Sequence, residues 1–532
     1  MRPGPLARPE RLTLPPPPRE LRGRLVRDAR RLTRWAGASG PFWRVPAAVL
    51  RPRDAAGTAA ALAWSSRHGI PLVPRGGGTG MPGGNVGPWV ILDLSDLGGV
   101  AVEGEAGEPV LVRAGAGVRG TQLEEAAREH GHEFPALPSS APWCTLGGML
   151  ACNAAGARSL RHGAVRSAVR EVDWVRSDGR VERLVRGAPL SAEWADLRET
   201  LRAHLPDPLP WPAVRKNSSG YALDAFLASG DPVDLAVGSE GTLGVVTGAL
   251  MEASSTPSER ALAVLGLPTL ADLVEVAALA GGTPGVEACE YLGRRLVELG
   301  QLEKNAELRA LDATAGLMLV EVAGGHGMVT DALARVREAG AAGGVIVTRD
   351  PERMAALWSV RHAANPTLAR ARARGLRSTQ FIEDPVVPVP TLSDFLPALH
   401  EILRRHDTDA VLFGHAGDGN LHVNPLVDLG FPRWRDRVRG ILEETVALVA
   451  ALGGTLAGEH GDGRLRTPYL NRIFAPAVVD AFRALKETLD PGGLLNPGVK
   501  VPLPGSDPLA GLGSAPGFAR GSQGPEAEAR GR

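Results

Sequence analysis

Residues 74–88 read PRGGGTGMPGGNVGP, a glycine-rich loop that follows a short apolar run, 71–74, predicted to be a strand. The loop contains a literal G-x-G-x-x-G between Gly78 and Gly83. In a dinucleotide-binding fold this loop must open directly into a helix whose N-terminus meets the pyrophosphate. Here the loop runs on to Pro88, which cannot continue as helix. We therefore expect no NAD binding by this loop, which is either a turn or a row of backbone N–H groups lining an anion site.

The composition is that of an ordinary globular protein, and it excludes several classes. The length of 532 residues suggests about three domains at ~150 residues each. Lys+Arg and Asp+Glu both number 59, so the formal net charge is 0, which argues against a nucleic-acid-binding protein. The three cysteines have no paired short spacing, which excludes a disulfide scaffold, a C-x-x-C zinc site and a cysteine-ligated iron–sulfur cluster.

The sequence also predicts a location. Few cysteines in a long chain suit a reducing cytoplasm. The N-terminus lacks the apolar core of a signal peptide, and no run of ~18 apolar residues predicts a transmembrane segment. We therefore expect a cytoplasmic protein, with peripheral contact at the inner face of the membrane left open.

Alternating helix and strand signals predict an α+β protein. A turn cluster near 254–260, SSTPSER, marks a boundary between two main domains. The predicted regions are an N-terminal extension (1–37), a first domain (38–255), a second domain (256–503) whose last segment (about 481–503) returns to the first, and a disordered tail (504–532). In the second domain two β-α-β halves are expected, with helices on one face of a sheet. The predicted strands are 47–51, 71–74, 89–94, 109–114, 261–267, 316–322 and 344–349, and the predicted helices are 55–67, 121–130, 270–280, 328–338 and 479–488.

Further motifs follow the glycine loop in a fixed order. They are PSS (138–140), TLGG (145–148), NAAG (153–156), SLRHG (159–163), KNSSGY (216–221) and GSEGTLG (238–244). Together with PRGGGTG they resemble the FAD domain of the vanillyl-alcohol-oxidase/PCMH superfamily, over about residues 40–500. The branch they resemble is the FAD-linked D-2-hydroxyacid dehydrogenases of the D-lactate dehydrogenase and glycolate oxidase flavoprotein type. The resemblance implies a PCMH-type FAD-binding domain followed by an FAD-linked oxidase C-terminal substrate domain.

This resemblance implies FAD as the cofactor, held non-covalently because the glycine loop has neither His nor Cys. The glycine loop and the TLGG turn would wrap the pyrophosphate, residues 240–246 would run beside the isoalloxazine, and the NPG motif at 496–498 would return to the flavin. The implied cofactor contacts are Arg75, Gly76, Gly77, Gly78, Thr79, Gly80, Pro138, Ser139, Thr145, Gly147, Gly148, Asn153, Gly156, Glu240, Gly241, Thr242, Val246 and Asn496.

Three residues near the predicted flavin keep open roles. Cys144 is the only thiol that could matter, against the alternative of a buried inert thiol. His162 stands where relatives often have Tyr. Val499 separates the NPG motif from Lys500, whereas most relatives place Lys directly after Gly.

Two histidine-containing motifs follow in the second domain. Residues 415–424 read HAGDGNLHVN, and Asp418-Gly419 is a strong hairpin signal that would bring His415 and His422 close together. Residues 454–463 read GTLAGEHGDG. If the two motifs meet, two imidazoles and a carboxylate make a three-ligand metal site with open positions, whereas the alternative for any one histidine is a structural role.

The same two motifs characterise the C-terminal domain of the family, and the resemblance assigns roles to their residues. The metal ligands would be His415, His422 and Glu459, the catalytic base His460, and a residue of the substrate site Asn424. Arg361 matches the arginine that pairs with the substrate carboxylate. FIEDP (381–385) lacks the nearby Lys with which relatives bind a second carboxylate, so a monocarboxylate is expected rather than 2-hydroxyglutarate.

The implied reaction is oxidation of a D-2-hydroxy acid, of the D-lactate or glycolate type, to the 2-oxo acid. A divalent metal would lower the pKa of the hydroxyl, His460 would accept its proton, and the Cα hydride would pass to FAD. Zinc is expected because it is redox-silent. The electrons would go to a separate acceptor: a quinone, a cytochrome, an electron-transfer flavoprotein or an iron–sulfur subunit.

Other readings stay open at this point. A two-His-one-carboxylate iron oxygenase would need no flavin. An enzyme of the alkyl-dihydroxyacetonephosphate synthase type would use FAD for group transfer. A flavin subunit of a larger iron–sulfur complex would lack a complete metal motif if it were catalytically silent. The particular hydroxy acid, the metal, the acceptor and the oligomeric state stay open as well.

Overall fold

The computed structural model describes residues 14–104, 109–300, 306–362 and 375–513. The strands are β1 (Leu25–Val26), β2 (Ala48–Leu50), β3 (Leu72–Arg75), β4 (Val90–Asp93), β5 (Val100–Glu103), β6 (Leu111–Gly115), β7 (His132–Glu133), β8 (Val169–Val175), β9 (Val181–Val185), β10 (Val245–Glu252), β11 (Ser254–Ser255), β12 (Glu259–Leu267), β13 (Val286–Gly293), β14 (Gly316–Gly324), β15 (Val345–Thr348), β16 (Leu376–Ser378), β17 (Asp409–His415) and β18 (Asn420–Asp428). The helices are α1 (Ala29–Leu32), α2 (Ala55–His68), α3 (Gly120–Arg128), α4 (Leu146–Cys152), α5 (Ser159–His162), α6 (Ala192–His204), α7 (Leu223–Ser229), α8 (Pro232–Ala236), α9 (Leu270–Gly282), α10 (Arg294–Gly300), α11 (His326–Ala339), α12 (Pro351–His362), α13 (Leu392–Arg405), α14 (Trp434–Ala451), α15 (Gly463–Arg466), α16 (Leu470–Ile473) and α17 (Pro476–Leu489). The predicted strands and helices are confirmed, with ends that differ by up to three residues.

The first domain contains two larger sheets. One has the order β1-β2-β4-β3, in which β2, β4 and β3 run parallel and the glycine loop follows β3. Helix α2 connects β2 to β3; Asp54 caps its N-terminus by accepting the N–H of Gly57 at 2.7 Å, and Gly69 ends it at φ 63°. The other sheet is antiparallel in the order β5-β6-β10-β8-β9. Because β1 pairs with β2, ordered structure begins inside the region predicted as an extension, before residue 38.

The second domain is built on one antiparallel sheet in the order β15-β12-β14-β13-β17-β18-β16. On β12, Ala261 and Ala263 face the core formed with α9, α11, α13 and α14, whereas Leu262 and Val264 face a second core with α10 and α12. The expectation of helices on one face was therefore incomplete. Both faces of these strands are apolar, so both must be covered.

The two domains meet through polar contacts made by residues at the start of α5 and just before it. Ser159, at the start of α5, donates to Asp418 at 2.6 Å, and Arg158 pairs with Glu321 of β14 at 2.6 Å. The segment after α17 returns to the first domain, where the N–H of Leu72 donates to Leu494 and that of Asn496 donates to the carbonyl of Leu72. This return is the one predicted for residues 481–503.

The first ten residues of the predicted tail pack against the protein. Leu509 and Leu512 are buried in the same core as α14, and Arg435 of that helix donates to the carbonyl of Leu512 at 2.7 Å. The prediction of disorder from residue 504 is wrong for this stretch, because two leucines three residues apart supply an apolar anchor that the Gly/Ser/Pro composition concealed. The remaining predicted tail, 514–532, lies outside the described residues.

Within the described ranges, none of the helices combines the length and the apolar character that crossing a bilayer requires.

Candidate active site

A single cavity of about 790 Å³ runs from the glycine loop to the histidine motifs at the junction of the two domains. Its volume lies in the range typical of cofactor and ligand sites. From the first domain it is lined by Arg75, Gly76, Gly77, Gly78, Thr79, Gly80, Pro138, Ser139, Thr145, Gly147, Gly148, Gly156, Glu240, Gly241 and Val246, together with Asn496 of the returning segment. From the second domain it is lined by Glu290, Trp358, Arg361, Gln380, Glu383, Phe413, His415, His422, Asn424, Glu459 and His460.

The glycine loop needs glycine because a second loop lies directly against it. A Cβ on Gly76 would come within 2.2 Å of the Thr145 hydroxyl, and one on Gly77 within 2.1 Å of the Trp143 carbonyl oxygen. Any side chain at these two positions would push the loops apart. The loop is therefore a fixed wall of the cavity rather than a free surface turn.

Thr145 is the residue that best shows what this wall is suited to bind. It precedes α4, whose N-terminal end lies beside the cavity, and its hydroxyl has no hydrogen-bond partner among the described residues although it is buried. An orphaned donor in a glycine-lined wall suits an anionic group such as a pyrophosphate. The cavity thus fits FAD by its size, its glycine wall and this unpaired hydroxyl.

Three of the predicted cofactor residues have structural roles. Asn153 does not line the cavity; it ends α4 at φ 51° and accepts the N–H of Arg166 at 3.3 Å. Thr242 is also outside the lining. Its hydroxyl is 2.6 Å from the Ser239 carbonyl and 2.8 Å from the hydroxyl of Tyr221. Arg75 lines the cavity, but its guanidinium donates to the carbonyls of residues 35, 37 and 85 and so holds the neighbouring loop.

Lys500, whose role the sequence left open, lies in a buried ionic cluster. Its ammonium is 2.9 Å from Asp462, 3.1 Å from Glu240 and 2.7 Å from the Ser218 carbonyl. Glu240 also accepts the N–H of Asp462 at 2.6 Å. The cluster joins the GEHGDG loop of the second domain to the GSEGTLG loop of the first, even though Val499 shifts the lysine by one position.

The predicted hairpin brings the histidines together. β17 and β18 pair in the register Phe413 with His422 and His415 with Asn420, and Gly419 makes the turn at φ 72°. The ring centroids of His415 and His422 are 5.2 Å apart. His422 and Asn424 share the face that lines the cavity, as the two-residue period of a strand predicts.

The second histidine motif meets this hairpin through Glu459. The Nε2 atoms of His415 and His422 each lie 3.4 Å from Glu459 Oε1. Two donors bound at 2.0–2.2 Å to one tetrahedral ion are about 3.4 Å apart. The three side chains are all buried, and their donor atoms lie within 4.8 Å of one another. This donor set therefore fits a divalent cation.

The opposite nitrogen of each imidazole is already occupied. Nδ1 of His415 contacts the Glu290 carboxylate, and Nδ1 of His422 lies 3.2 Å from the carbonyl oxygen of Glu383. Such contacts fix the tautomer that leaves Nε2 free as a ligand. Burial lowers the pKa of His422. For His415 burial acts the same way, but the charges of Glu290 and Glu459 and the hydrogen bond to Glu290 together outweigh it and raise the pKa to about 9.

Lys216 completes the surroundings of Glu459, a role that the sequence did not predict. Its buried ammonium is 2.5 Å from Glu459 Oε2, the oxygen turned away from the histidines. Burial alone would raise the pKa of Glu459, but Lys216 and His415 hold it well below its ordinary value. Glu459 is therefore an anion with one oxygen already paired and the other facing the imidazoles.

His460 faces the same oxygen, Glu459 Oε1, as His415 and His422, but its ring is held differently. Its Nε2 is 3.5 Å from Glu459 Oε1, and its Nδ1 is 2.6 Å from Glu383 Oε2. Burial lowers the pKa of His460, yet the charges of Glu383 and Asp384 outweigh it and raise the pKa to about 9. Arg466 pairs with the other oxygen of Glu383, so the carboxylate has one orientation.

Asp384 holds the backbone of the same loop. Its Oδ2 accepts the N–H groups of Glu459 at 3.0 Å and His460 at 2.9 Å, and its Oδ1 accepts the amide of Asn420 at 2.9 Å. One carboxylate thereby joins the two histidine motifs. Glu383 and Asp384 belong to the FIEDP motif, and nothing in the pattern of that motif indicates that its acidic pair supports the histidines.

Arg361 lies at the histidine end of the cavity. Its Nε donates to Glu290 at 2.8 Å, and its guanidinium covers the Phe413 ring at 4.4 Å. Asn424 accepts the hydroxyl of Ser378 at 3.2 Å. Both predicted substrate residues therefore line the cavity beside the three donor side chains.

Cys144 and His162, whose roles the sequence also left open, show no sign of reactivity toward the cavity. Cys144 is buried at the cavity wall, and burial raises the pKa of its thiol, which favours the inert form. His162 lies outside the cavity lining, where Nε2 contacts Glu287 of the second domain at 3.1 Å.

Two regions of the chain match known families. Residues 46–185 match the FAD binding domain, and residues 256–499 match the C-terminal domain of FAD linked oxidases. The match places the glycine loop in the first family and both histidine motifs in the second.

Curated relatives align over most of the chain. D-lactate dehydrogenase from Archaeoglobus fulgidus is 29% identical over 455 residues, covering 85% of this chain and 91% of the relative. Glycolate oxidase subunit GlcD from Bacillus subtilis is 29% identical over 483 residues, covering 88% and 92%. D-2-hydroxyglutarate dehydrogenase from Xanthomonas citri pv. viticola is 28% identical over 464 residues, covering 85% and 89%.

Solved structures share the fold at lower identity. 4-Ethylphenol oxidase from Gulosibacter chungangensis superposes with a TM-score of 0.65 at 17% identity, covering 91% of this chain and 95% of that one. An alkyldihydroxyacetonephosphate synthase superposes with a TM-score of 0.63 at 14% identity, covering 93% and 88%. The two domain matches and the relatives aligned along most of the length show that this chain is an oxidoreductase that belongs to the FAD-linked oxidase family.

Proposed function

We propose that the protein oxidises a D-2-hydroxy monocarboxylate, of the D-lactate or glycolate type, to the 2-oxo acid. The observation that carries this proposal is one shared point in the cavity. Nε2 atoms of His415, His422 and His460 lie 3.4, 3.4 and 3.5 Å from the same oxygen, Glu459 Oε1. Two of these imidazoles are held as ligands and the third as a base, beside a wall suited to FAD.

His460 is proposed to accept the hydroxyl proton at Nε2. Its Nδ1 contacts Glu383, so the neutral ring donates that N–H to the carboxylate and keeps the Nε2 lone pair toward the cavity. The ordinary pKa of an imidazole is 6.5, whereas Glu383 and Asp384 raise that of His460 to about 9 in the protein alone. A cation bound at Glu459 would oppose that shift, since a neighbouring positive charge disfavours the protonated ring.

The proposed metal ligands are His415, His422 and Glu459. A divalent cation bound there, which we propose to be zinc, would supply Lewis-acid stabilisation of the developing alkoxide. Lys216 limits Glu459 to one free oxygen, so coordination positions stay open for the hydroxyl and a carboxylate oxygen of the substrate. The His/His/Glu set and its buried supports favour this assignment over a structural hairpin.

Arg361 is proposed to hold the substrate carboxylate with its terminal N–H groups, because its Nε is already committed to Glu290. Within the described part of the chain, the other Lys or Arg that lines the cavity, Arg75, lies in the glycine loop. Apart from Arg361 and Arg75, the described lining offers no Lys or Arg to a second carboxylate of the substrate, which supports a monocarboxylate over 2-hydroxyglutarate.

FAD, when bound, supplies the acceptor for the hydride that leaves the substrate Cα. The chain's own part is to hold the hydroxyl, the carboxylate and Cα at three fixed points, so that one enantiomer presents its hydrogen to the cofactor. The proton goes to His460 and the electron pair leaves with the hydride, which balances conversion of the hydroxy acid to the oxo acid.

The electrons are proposed to leave to a separate acceptor: a quinone, a cytochrome, an electron-transfer flavoprotein or an iron–sulfur subunit. Three cysteines in the whole chain are too few for a four-cysteine cluster. Two of them, Cys144 and Cys289, are buried, and burial raises the pKa of Cys152 to about 12. The chain thus offers no cysteine relay of its own.

The test is an anaerobic screen of hydroxy acids for bleaching of the flavin absorbance of the purified protein. D-lactate, glycolate or another D-2-hydroxy monocarboxylate should bleach it, and L-lactate should not. His460→Ala serves as the protein control, since it keeps the cavity wall while removing the base. Equal rates for the two enantiomers, or bleaching by none of the 2-hydroxy acids, would overturn the proposal.

A further inference from the structure

Glu290 is a fully buried acidic residue to which neither the sequence motifs nor the proposed chemistry assigns a role. It lies on β13, in direct register with His415 of β17, and its exposure is 0%. An ionised carboxylate in such a place is costly unless every oxygen is paired. Its surroundings therefore indicate what it does.

Each oxygen of Glu290 contacts one residue with a proposed role. Oε1 contacts Nδ1 of His415, the proposed metal ligand, and Oε2 accepts the Nε–H of Arg361, the proposed carboxylate anchor, at 2.8 Å. Arg361 is held from another side by the Phe413 ring. One buried carboxylate thus touches the metal side and the substrate side of the cavity at once.

We infer that Glu290 is a positioning residue that sets both the metal ligand and the substrate anchor, so that metal affinity and substrate affinity depend on the same side chain. On the histidine side it fixes the tautomer and orientation that direct Nε2 toward Glu459. On the arginine side it occupies Nε and turns the terminal N–H groups toward the cavity. The inference rests on the proposed function.

The same strand offers a matched control three residues away. Glu287 is also buried, at 3% exposure, and also bridges a histidine and arginines: His162 at 3.1 Å, Arg260 at 3.5 Å and Arg158 at 3.6 Å. None of these partners lines the cavity. Glu287→Gln therefore removes a comparable buried charge without touching the site.

The experiment compares wild type, Glu290→Gln and Glu287→Gln by two measurements. The first is the zinc dissociation constant, obtained by competition with a chelator in the absence of substrate. The second is KM and kcat for the best D-2-hydroxy acid at saturating zinc. Glu290→Gln should weaken zinc ~10–100-fold, as loss of a support behind a metal ligand does. It should raise KM ~10-fold or more, as expected for loss of a hydrogen bond to a charged group.

Glu287→Gln should leave both constants at wild-type values. If removal of any buried charge disturbed the protein in general, this variant would change the constants as well. An unchanged zinc constant or an unchanged KM in Glu290→Gln would overturn the inference. If Glu290→Gln does not fold, Glu290→Asp takes its place: it keeps the charge but is one methylene shorter and cannot reach both partners. At least one constant should then worsen ~10-fold, and wild-type values for both would overturn the inference.

Failure of the proposed function is recognised separately, in wild type. A wild-type protein that binds no zinc, or whose flavin no 2-hydroxy acid bleaches, contradicts the proposed function. A wild-type protein that does both, with an unaffected Glu290→Gln variant, contradicts only the role of Glu290.

Discussion

Replacing Glu383 by glutamine tests whether His460 is the base. Glu383 is 1% exposed and its Oε2 lies 2.6 Å from Nδ1 of His460. A hydrogen bond to a charged group contributes about 1.5–3 kcal/mol. At ~1.4 kcal/mol per tenfold, its loss should slow flavin reduction ~10–100-fold. The measurement is anaerobic stopped-flow reduction of the flavin by a saturating D-2-hydroxy acid.

The pH dependence of the same reaction gives a second, directional signature. Burial lowers the pKa of His460, and Glu383 with Asp384 raises it to about 9. Glu383→Gln removes one of these raising charges, so the pKa of His460 should fall. Because a base acts in its neutral form, the rate should rise with pH at lower values than in wild type, toward a lower plateau.

Two controls separate this effect from a general disturbance. The double variant Glu383→Gln/His460→Ala should be no slower than His460→Ala alone, because the carboxylate acts through the imidazole. Glu287→Gln, which removes a buried carboxylate that contacts a histidine outside the cavity, should keep the wild-type pH profile. A Glu383→Gln enzyme with the wild-type rate and an unmoved pH profile would refute the assignment of His460.

The ligand variants His415→Ala, His422→Ala and Glu459→Gln should abolish bound metal and turnover together, whereas His460→Ala should keep most of the metal. Metal analysis of the four variants tests this, and full metal content in His415→Ala would leave the motif as a structural hairpin. Acid precipitation should release yellow FAD into the supernatant, since the glycine loop has no His or Cys and burial favours the neutral thiol of Cys144; colour retained in the pellet would indicate a covalent link. Burial raises the pKa of Glu290, but His415 and Arg361 hold it at about 2 against an ordinary 4.5, so this carboxylate stabilises the fold above pH 4.5 and its contribution is lost as pH falls toward 2. The pKa of its partner His415 is raised to about 9 from 6.5, so this histidine contributes stability that is present below pH 6.5 and lost as pH rises through 9. Thermal unfolding of the metal-free protein at a series of pH values should show both losses of stability, and both should be smaller in Glu290→Gln.

Local signals in the sequence were sufficient for much of the fold. Helix α2 begins after Asp54 and ends at Gly69 because capping and the left-handed conformation are properties of a few adjacent residues. The Asp418-Gly419 turn likewise fixed the hairpin and the face shared by His422 and Asn424. Burial of both sheet faces in the second domain was less visible, because part of the cover comes from far away in the sequence: α12 packs on β12, and α10 packs on β17 as well as on its neighbour β13.

The tail shows where composition misleads. A stretch rich in Gly, Ser and Pro predicts disorder, yet Leu509 and Leu512 reach the core beside α14. Two apolar side chains in a polar stretch carry no periodic signal, and only the position of a receiving surface decides whether they pack. That surface belongs to residues more than 70 positions earlier in the chain, such as Arg435.

The sequence by itself determined the motifs: the glycine loop, the histidine pair on one hairpin and the Glu-His dipeptide between glycines, each set by neighbours within about ten residues. Tertiary structure decided what those side chains do. Glu290 reaches His415 across 125 positions, Lys216 reaches Glu459 across 243, and Glu383 reaches His460 across 77. The physical reason is that burial makes a charge depend on whatever partner the fold brings within hydrogen-bond distance, and no local pattern encodes that partner. Asn153 and Thr242 make the same point, since motif position predicts a cofactor contact for each, whereas only the fold shows that both side chains hydrogen-bond within the protein.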